Sequence, residues 1–487
     1  MDKQQLKQYF MNVLSPEEQA RVRRLYTLAE LEELCLNEYA DLPALEVPGK
    51  QISYRAMWHR IACLRKGLME AGLEKGKIVG IALPPTIDAV ECFLAVTTAG
   101  GVAAMLPMGE SGKVLERPCM LLQPSFLITV LPDAPVKSYT PDALRKDTPA
   151  PAAKMDPADP AAAFFTGGTS GVPKSALLSH KAMMLGSFNG LFAPGGVFFQ
   201  KYYALMPLTH VFGVIRNMLT CFQSGSTLCM CTGMMNLAKD LQAYQPTLLV
   251  LVPALTEMLL GLMKAYGPGV AGGKVKTIIV GSAPIRSSVG EELDKFGVTL
   301  CAGYGLTETA NLVSGNADQL THPHSVGKPY PDQEIRFVDG EIQIRGEHIF
   351  DGYVNNPAET AASFQDGWFC TGDLGYMDED GFLYITGRIK SLLILPNGEK
   401  ISPEEPEMLV NELPQVKACL VRMAPNAFGA DVMTCEVFPV PGADEEALRN
   451  IILKEINARL PGATQIQQVT FRHEDFKRTP AMKIVRY

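Results

Sequence analysis

Residues 164–174 read Phe-Phe-Thr-Gly-Gly-Thr-Ser-Gly-Val-Pro-Lys and carry the strongest local signal in this chain of 487 residues. Two apolar residues lead into a loop of glycines and hydroxyl residues that Lys174 closes. Glycines let backbone N–H groups approach a phosphate chain, hydroxyls donate further hydrogen bonds, and the lysine adds positive charge. A Walker A loop needs glycine immediately before the lysine, whereas Pro173 stands there. The stretch therefore favours a phosphate-binding loop of another type, with a plain Gly/Ser turn equally open.

The chain on either side of this loop alternates between helical and strand patterns, which predicts a parallel sheet with crossover helices. From residue 334 onward the pattern changes to short alternating strands with tight turns. The last hundred residues or so mix short strands with helices and predict a small separate α+β unit. The segments that carry this prediction are helices at 54–71, 86–99, 404–412 and 445–459 and strands at 78–83, 248–252, 277–280, 335–338, 341–345 and 382–385.

Composition excludes several functions. With 47% hydrophobic and 20% charged residues the chain can bury large cores, and its net charge of −8 argues against a nucleic-acid partner. The N-terminus has no apolar run, and the apolar stretch 92–108 is interrupted by glycine, threonine and proline, so we expect neither a secretory signal nor a transmembrane segment. Eleven scattered cysteines without a CxxC pair indicate reduced thiols in a cytoplasmic protein.

Further motifs combine residues suited to a nucleotide. Residues 303–309, Gly-Tyr-Gly-Leu-Thr-Glu-Thr, provide Tyr304 for stacking on a base and Glu308 for a magnesium ion. Residues 369–373, Phe-Cys-Thr-Gly-Asp, end in Asp373, whose carboxylate can accept two hydroxyl protons of a ribose. Residues 387–390, Gly-Arg-Ile-Lys, follow a predicted strand at a position suited to a hinge, and the basic segment 477–484 lies near the end of the chain. Taken singly, Glu308 is more typical of a solvated turn and segment 477–484 of a solvated tail, and Asp373 could equally stabilise its own turn.

In this order the motifs resemble those of the adenylate-forming superfamily of acyl-CoA synthetases, peptide-synthetase adenylation domains and luciferases. The likeness extends over nearly everything after about residue 50 and includes residues 207–210, 280–284, 325–329, 340–346, 352–357 and 401–405. The resemblance implies an α/β fold in which residues 1–387 form a large N-terminal domain of αβ-sandwich subdomains plus a distorted β-barrel. It further implies a hinge at 388–390 and a small mobile α+β C-terminal domain at 391–487.

The resemblance also implies residue roles. The loop over the β- and γ-phosphates would contain Thr166, Thr169, Ser170 and Lys174, and the adenine pocket would contain Ser282, Ala283 and Tyr304. Thr307 would contact the α-phosphate and Glu308 would bind magnesium. Asp373 and Arg388 would bind the ribose. The others are His210 at the mouth of the acyl pocket, Lys390 as the hinge, Gly398 beside the path of the pantetheine arm, and Lys483 as the catalytic lysine. For the loop around Gly398, a surface turn remains equally open.

The chemistry implied is activation of a small carboxylic acid by ATP and Mg²⁺ to an acyl-adenylate, followed by transfer to CoA. An amino-acid-activating domain would be expected to show an aspartate where His210 stands, so a fatty or aryl acid is favoured. Met482 replaces the glycine that usually precedes the catalytic lysine. Two alternatives remain open: an enzyme that loads an acyl carrier protein through its phosphopantetheine thiol, and a nucleotide-binding protein without catalysis.

Overall fold

The computed structural model describes residues 3–166, 173–395, 399–478 and 484–486. Its α-helices are α1 Lys3–Met11, α2 Pro16–Arg21, α3 Leu28–Glu38, α4 Tyr54–Glu70, α5 Ile87–Thr98, α6 Glu116–Leu122, α7 Pro141–Leu144, α8 His180–Gly190, α9 Thr220–Gln223, α10 Leu237–Tyr244, α11 Pro253–Tyr266, α12 Ser287–Asp294, α13 Pro357–Ala362, α14 Glu404–Asn411 and α15 Glu445–Ile451. A π-helix, Phe212–Leu219, runs directly into α9.

The strands are β1 Pro43–Val47, β2 Lys50–Ser53, β3 Ile78–Ala82, β4 Val102–Met105, β5 Phe126–Thr129, β6 Ser138–Tyr139, β7 Pro160–Thr166, β8 Lys174–Ser179, β9 Lys201–Ala204, β10 Thr227–Met230, β11 Leu248–Leu251, β12 Thr277–Val280, β13 Thr299–Tyr304, β14 Ser314–Asp318, β15 Lys328–Pro329, β16 Gln333–Val338, β17 Glu341–Gly346, β18 Gly352–Tyr353, β19 Phe364–Gln365, β20 Trp368–Met377, β21 Leu383–Arg388, β22 Leu393–Ile394, β23 Lys400–Ile401, β24 Val416–Pro425, β25 Asp431–Pro439 and β26 Gln468–Phe471.

Two large sheets with parallel centres form most of the molecule. One has nine strands in the order β15-β14-β13-β12-β11-β9-β10-β1-β2, and the other has seven in the order β18-β8-β7-β4-β3-β5-β6. Helices α3, α4, α5 and α8 lie between them, and their apolar side chains join those of both sheets in a single buried core. Parallel strands joined by covering helices are what the alternating sequence pattern predicted.

Helix α4 shows how the local sequence builds this layer. The helix begins after Ser53, whose Oγ accepts a hydrogen bond from the Ala56 N–H at 3.3 Å. Its apolar residues recur at helical spacing, and Trp58, Ile61 and Leu68 are buried against the sheets. Within the described residues, no helix combines the length and the apolar character that crossing a bilayer requires.

Smaller elements follow these two sheets. Strands β16, β17, β19, β20 and β21 form an antiparallel sheet in the stretch after residue 334 where short alternating strands were predicted. After β21, strands β24, β25 and β26 and helices α14 and α15 enclose a separate apolar core. The predicted elements are confirmed with small shifts of their ends. The stretch predicted as helix 445–459 is α15 continued by one π-turn and one 3₁₀ turn.

Candidate active site

A tight turn after β13 presents Glu308 at the carboxyl end of the nine-stranded sheet. A Cβ at Gly305 would overlap the backbone carbonyl of Asn311, so only glycine fits there. The Thr309 hydroxyl accepts a hydrogen bond from the Leu306 N–H at 2.9 Å and closes the turn. Asn311 has a φ of 75°, a left-handed conformation that reverses the chain. The motif predicted from its residue types is therefore a compact turn in which Glu308 is held, with the predicted α-phosphate contact Thr307 half-buried beside it.

The Glu308 carboxylate is buried and oriented by a tyrosine. Its side chain accepts a hydrogen bond from the Tyr353 hydroxyl at 2.8 Å. Burial raises the pKa of Glu308, whereas the Tyr353 hydrogen bond and the charges of Arg388 and Lys174 oppose that rise. A carboxylate offers about four acceptor positions in its two oxygens, so one hydrogen bond leaves room for a cation. Mg²⁺ is commonly held by one or two carboxylates together with substrate phosphates, and this single oriented carboxylate fits that pattern.

A second carboxylate lies between a phenol and a guanidinium. The Tyr304 hydroxyl donates to Asp373 Oδ2 at 2.6 Å, and Arg388 Nε donates to Asp373 Oδ1 at 2.6 Å. Asp373 and Arg388 face each other because β20 and β21 pair these two residues in register. Burial raises the pKa of Tyr304, and the adjacent carboxylate raises it further, so the phenol stays protonated. The structure thus brings together three residues that the motifs assigned to the adenine and ribose.

The lysine of the phosphate loop forms an ion pair across the site. Thr166 and Lys174 face each other at the ends of β7 and β8, on either side of the loop. The Lys174 ammonium pairs with the Glu359 carboxylate and lies 5.1 Å from the ring centroid of Tyr353. Hydrogen bonding to Lys174 lowers the pKa of Glu359, and the nearby charge of Lys390 adds to that effect. A bound phosphate chain would compete with Glu359 for Lys174.

The other predicted residues that the structure describes are half-buried or exposed. Ser282 and Ala283 are exposed just past the end of β12, where Ser282 has a φ of 74°. His210 is half-buried, and its backbone carbonyl accepts hydrogen bonds from the first turn of the π-helix, from Gly213 N–H at 3.0 Å. Lys390 is exposed beyond the end of β21. The predictions for Thr169, Ser170, Gly398 and Lys483 fall outside the described residues.

Sequence reasoning missed two members of the cluster. Tyr353 lies in the quoted stretch 352–357 but received no role, because nothing in that stretch shows that it faces Glu308. The only local signal was Gly352, whose φ of 137° and close approach to the side chain of Thr360 mark a constrained position. Glu359 is in the first turn of α13, where acidic residues are common in any helix, so the pattern carried no signal.

Together, the fold and this cluster are those expected of a nucleotide-binding enzyme, whose ligand typically lies at the carboxyl ends of the strands of an open α/β sheet. The description "AMP-binding enzyme" is that of the family model that matches residues 32–354, and the chain belongs to this family. The oxalate–CoA ligase of Arabidopsis thaliana is 27% identical over 94% of this chain and 97% of its own length. The long-chain-fatty-acid–CoA ligase of Yersinia pestis is 27% identical over 93% of this chain and 92% of its own length.

Among solved structures, an anthranilate CoA ligase, AuaEII, in complex with anthranoyl-AMP is similar to this chain. It superposes with a TM-score of 0.84 at 20% identity and covers 96% of this chain and 97% of its own. The predicted α/β fold and the membership of the adenylate-forming superfamily are thereby confirmed. The predicted class of carboxylate–CoA ligase is confirmed as well, because the matched relatives are CoA ligases over nearly the whole chain.

Proposed function

We propose that this carboxylate–CoA ligase works through the cluster of Tyr304, Asp373, Arg388, Glu308 and Lys174. In the first half-reaction, an oxygen of the substrate carboxylate attacks the α-phosphate of ATP, and the bond to pyrophosphate breaks to leave an acyl-adenylate. In the second, the CoA thiolate attacks the acyl carbon and AMP leaves. The observation that carries the proposal is the close arrangement of Tyr304, Asp373 and Arg388 beside the oriented Glu308 carboxylate.

The nucleoside part of ATP is assigned to Tyr304, Asp373 and Arg388. Asp373 accepts the hydroxyl protons of the ribose, since a carboxylate has acceptor positions beyond those used by Tyr304 and Arg388. Arg388 holds that carboxylate in place through the β20–β21 pairing. The exposed segment with Ser282 and Ala283 borders the base. Recognition of AMP is therefore provided by elements that are far apart in sequence and adjacent at one edge of the sheets.

The phosphates are assigned to Lys174, Thr166, Thr169, Ser170 and Thr307. Two anions meet in the first half-reaction, and cations placed where charge develops lower the barrier. Lys174 leaves Glu359 for the β- and γ-phosphates, and Lys483 is proposed to sit at the reacting carboxylate, as the resemblance implies. Magnesium, held by Glu308 and the phosphates, would supply further charge neutralisation.

The C-terminal unit is proposed to move between the two half-reactions about residues 388–390. Support for a hinge there comes from the separate apolar core that the elements after β21 enclose. The Ser402 hydroxyl, which donates a hydrogen bond to the Thr386 carbonyl at 2.7 Å, would have to leave β21 during that motion. Gly398 is proposed to border the path of the pantetheine thiol. The domain limits 1–387 and 391–487 follow from this hinge.

The relatives are named for acids as different as oxalate and long-chain fatty acids, so their names do not identify the acid that this enzyme activates. We place the enzyme in the cytoplasm. Its eleven cysteines are free, and all except Cys231 and Cys370 are buried, which suits a reducing compartment.

Acid-dependent release of pyrophosphate from ATP and Mg²⁺, measured over a panel of acids, tests the first half-reaction. CoA-dependent release of AMP and formation of a thioester test the second. Pyrophosphate release without CoA-dependent turnover, but with loading of a carrier protein, would assign the enzyme to the carrier-protein alternative. ATP binding without pyrophosphate release for any acid would favour the non-catalytic alternative and refute the proposal.

A further inference from the structure

An arginine without a counter-ion is buried in the middle of the molecule. Arg216 lies on the π-helix that follows His210, and only 3% of its surface is exposed. Its Nη1 has no hydrogen-bond partner, and within the described ranges no carboxylate lies at ion-pair distance from it. An arginine remains charged at any ordinary pH. An uncompensated buried charge is strongly destabilising, so a buried guanidinium with an unused donor indicates a ligand group that the protein itself does not provide.

A buried tyrosine hydroxyl lies close to Arg216. Burial raises the pKa of Tyr202 to about 12, and the charge of Arg216 opposes that rise, so the two side chains are within electrostatic reach. The Tyr202 hydroxyl is buried, and the side chains of Arg216 and Ser224, neither of which is a carboxylate, lie within hydrogen-bonding reach of it. The same charge acts on Cys301 and on Tyr330, whose pKa values are raised by burial and lowered by Arg216. Arg216 and Tyr202 therefore form a donor-rich floor, in which a guanidinium and a phenol lie close together.

The register of the sheet places this floor below the active site. Strands β12 and β13 pair Ile279 with Cys301, and side chains two residues apart share a sheet face. Gly281 and Gly303 therefore follow on that same face, toward the turn that holds Glu308. At a rise of roughly 3.3 Å per residue, Cys301 lies about 7 Å deeper than Gly303.

The π-helix packs on that face at Gly281. A Cβ at Gly281 would lie 3.2 Å from Cζ of Phe212, which is on the same π-helix as Arg216. Helices of this type often occur at functional sites. The π-helix thus follows this face, with Phe212 against Gly281 toward the sheet edge and Arg216 within electrostatic reach of Cys301 deeper on it.

One acidic group on the sheet, Asp318, faces Cys301 across the β13–β14 pair. Its charge raises the pKa of Cys301, and its Oδ1 accepts a hydrogen bond from the Leu320 N–H at 3.0 Å. Asp318 is half-buried on the edge side of Cys301 and forms no ion pair with Arg216. It therefore does not satisfy the guanidinium.

We propose that Arg216 binds a second anionic group on the acid substrate, so that the enzyme activates a dicarboxylic acid. One carboxylate reacts with ATP beside Glu308, and the other accepts hydrogen bonds from Arg216 and the Tyr202 hydroxyl. A spacer of a few carbons or one aromatic ring would span the depth from the glycines to the floor. This inference rests on the proposed function and narrows its substrate class.

The test compares acids that differ only in the second carboxylate, such as benzoate with terephthalate and hexanoate with adipate. Acid-dependent pyrophosphate release is measured for the wild type, Arg216→Met and Arg216→Lys. Arg55→Met, which removes an exposed arginine paired with Asp41, is the matched control. We expect the wild type to prefer the dicarboxylic member of a pair. Arg216→Met should lose about 100-fold or more in kcat/KM for that member and keep or gain activity with the monocarboxylic one. Arg216→Lys should recover part of the loss.

Binding without ATP provides a readout that is independent of catalysis. Dicarboxylic acids should raise the Tm of the wild type and of Arg55→Met but not that of Arg216→Met, whose own Tm should equal or exceed that of the wild type because an unpaired buried charge is gone. A wild type that uses monocarboxylic acids equally well, with selectivity unchanged in Arg216→Met, would overturn the inference and leave the proposed function standing. If no acid supports pyrophosphate release, the proposed function fails. The Tm shifts then decide separately whether Arg216 binds a dianion.

Discussion

The Tyr353→Phe substitution tests the central feature of the site, the orientation of Glu308. It removes one hydroxyl and with it the hydrogen bond to the Glu308 carboxylate at 2.8 Å, while the ring that packs on Phe350 remains. Hydrogen bonds to charged groups contribute about 1.5–3 kcal/mol, and loss of a partner that orients a metal ligand typically costs about 10–100-fold. We therefore expect kcat/KM for Mg–ATP to fall about 10- to 100-fold in pyrophosphate release.

The pH dependence of the same variant provides a second and sharper readout. Glu308 must be a carboxylate to bind a cation, and burial raises its pKa, so activity should fall on the acid side as Glu308 becomes protonated. The Tyr353 hydrogen bond stabilises the charged form. Removing it should raise the pKa of Glu308 and move the acid limb of kcat/KM to higher pH.

The control is Tyr376→Phe, which removes the hydroxyl of a tyrosine that is 51% exposed and stacked on Tyr384, well outside the cluster. Its kinetics should match those of the wild type. An unchanged acid limb in Tyr353→Phe, together with an unchanged kcat/KM for Mg–ATP, would refute the assignment of Glu308 as the magnesium ligand oriented by Tyr353.

Three further predictions address other contacts. Glu359→Gln removes the carboxylate that pairs with Lys174 and should lower the KM for ATP by up to about 5-fold, the size of a partly exposed ion pair; a higher KM would mean that Glu359 supports the site. Burial raises the pKa of Glu407 from 4.5 to about 7 although Arg486 pairs with it. The native state then binds more protons than the unfolded state. The contribution of Glu407 to the free energy of unfolding is therefore complete below about pH 4.5 and is lost as pH rises through 7. Glu407→Gln should make the urea midpoint of unfolding fall less steeply between these pH values. A midpoint that falls as steeply as in the wild type would contradict the role of Glu407. Lys483→Ala should slow adenylation by about 100-fold or more, measured by pyrophosphate exchange, while thioester formation from supplied acyl-adenylate survives; persistence of both half-reactions would contradict the role of Lys483.

The residue types in a few short stretches were enough to predict the fold class and to single out most of the residues that the structure brings together at the candidate site. The turn at 303–309 and the strand end at Asp373 could be assigned because an anionic nucleotide needs glycines, hydroxyls, carboxylates and cations in particular positions. The alternation of apolar segments predicted the parallel sheets, since their strands and covering helices repeat along the chain in that order. Such signals come from residues that are close together along the chain, so they can be recognised from the sequence alone.

Only the tertiary structure showed which of these groups touch one another. Tyr353 and Glu308 are 45 positions apart, and Lys174 and Glu359 are 185 positions apart, so no local pattern links them. Arg216 is the clearest case, because its sequence neighbours are those of an ordinary apolar helix. That it is buried without a counter-ion depends on which residues of β9 and β13 pack against it. Packing between distant segments decides burial and pairing, and these decide whether a charged residue is solvated or is held ready for a ligand.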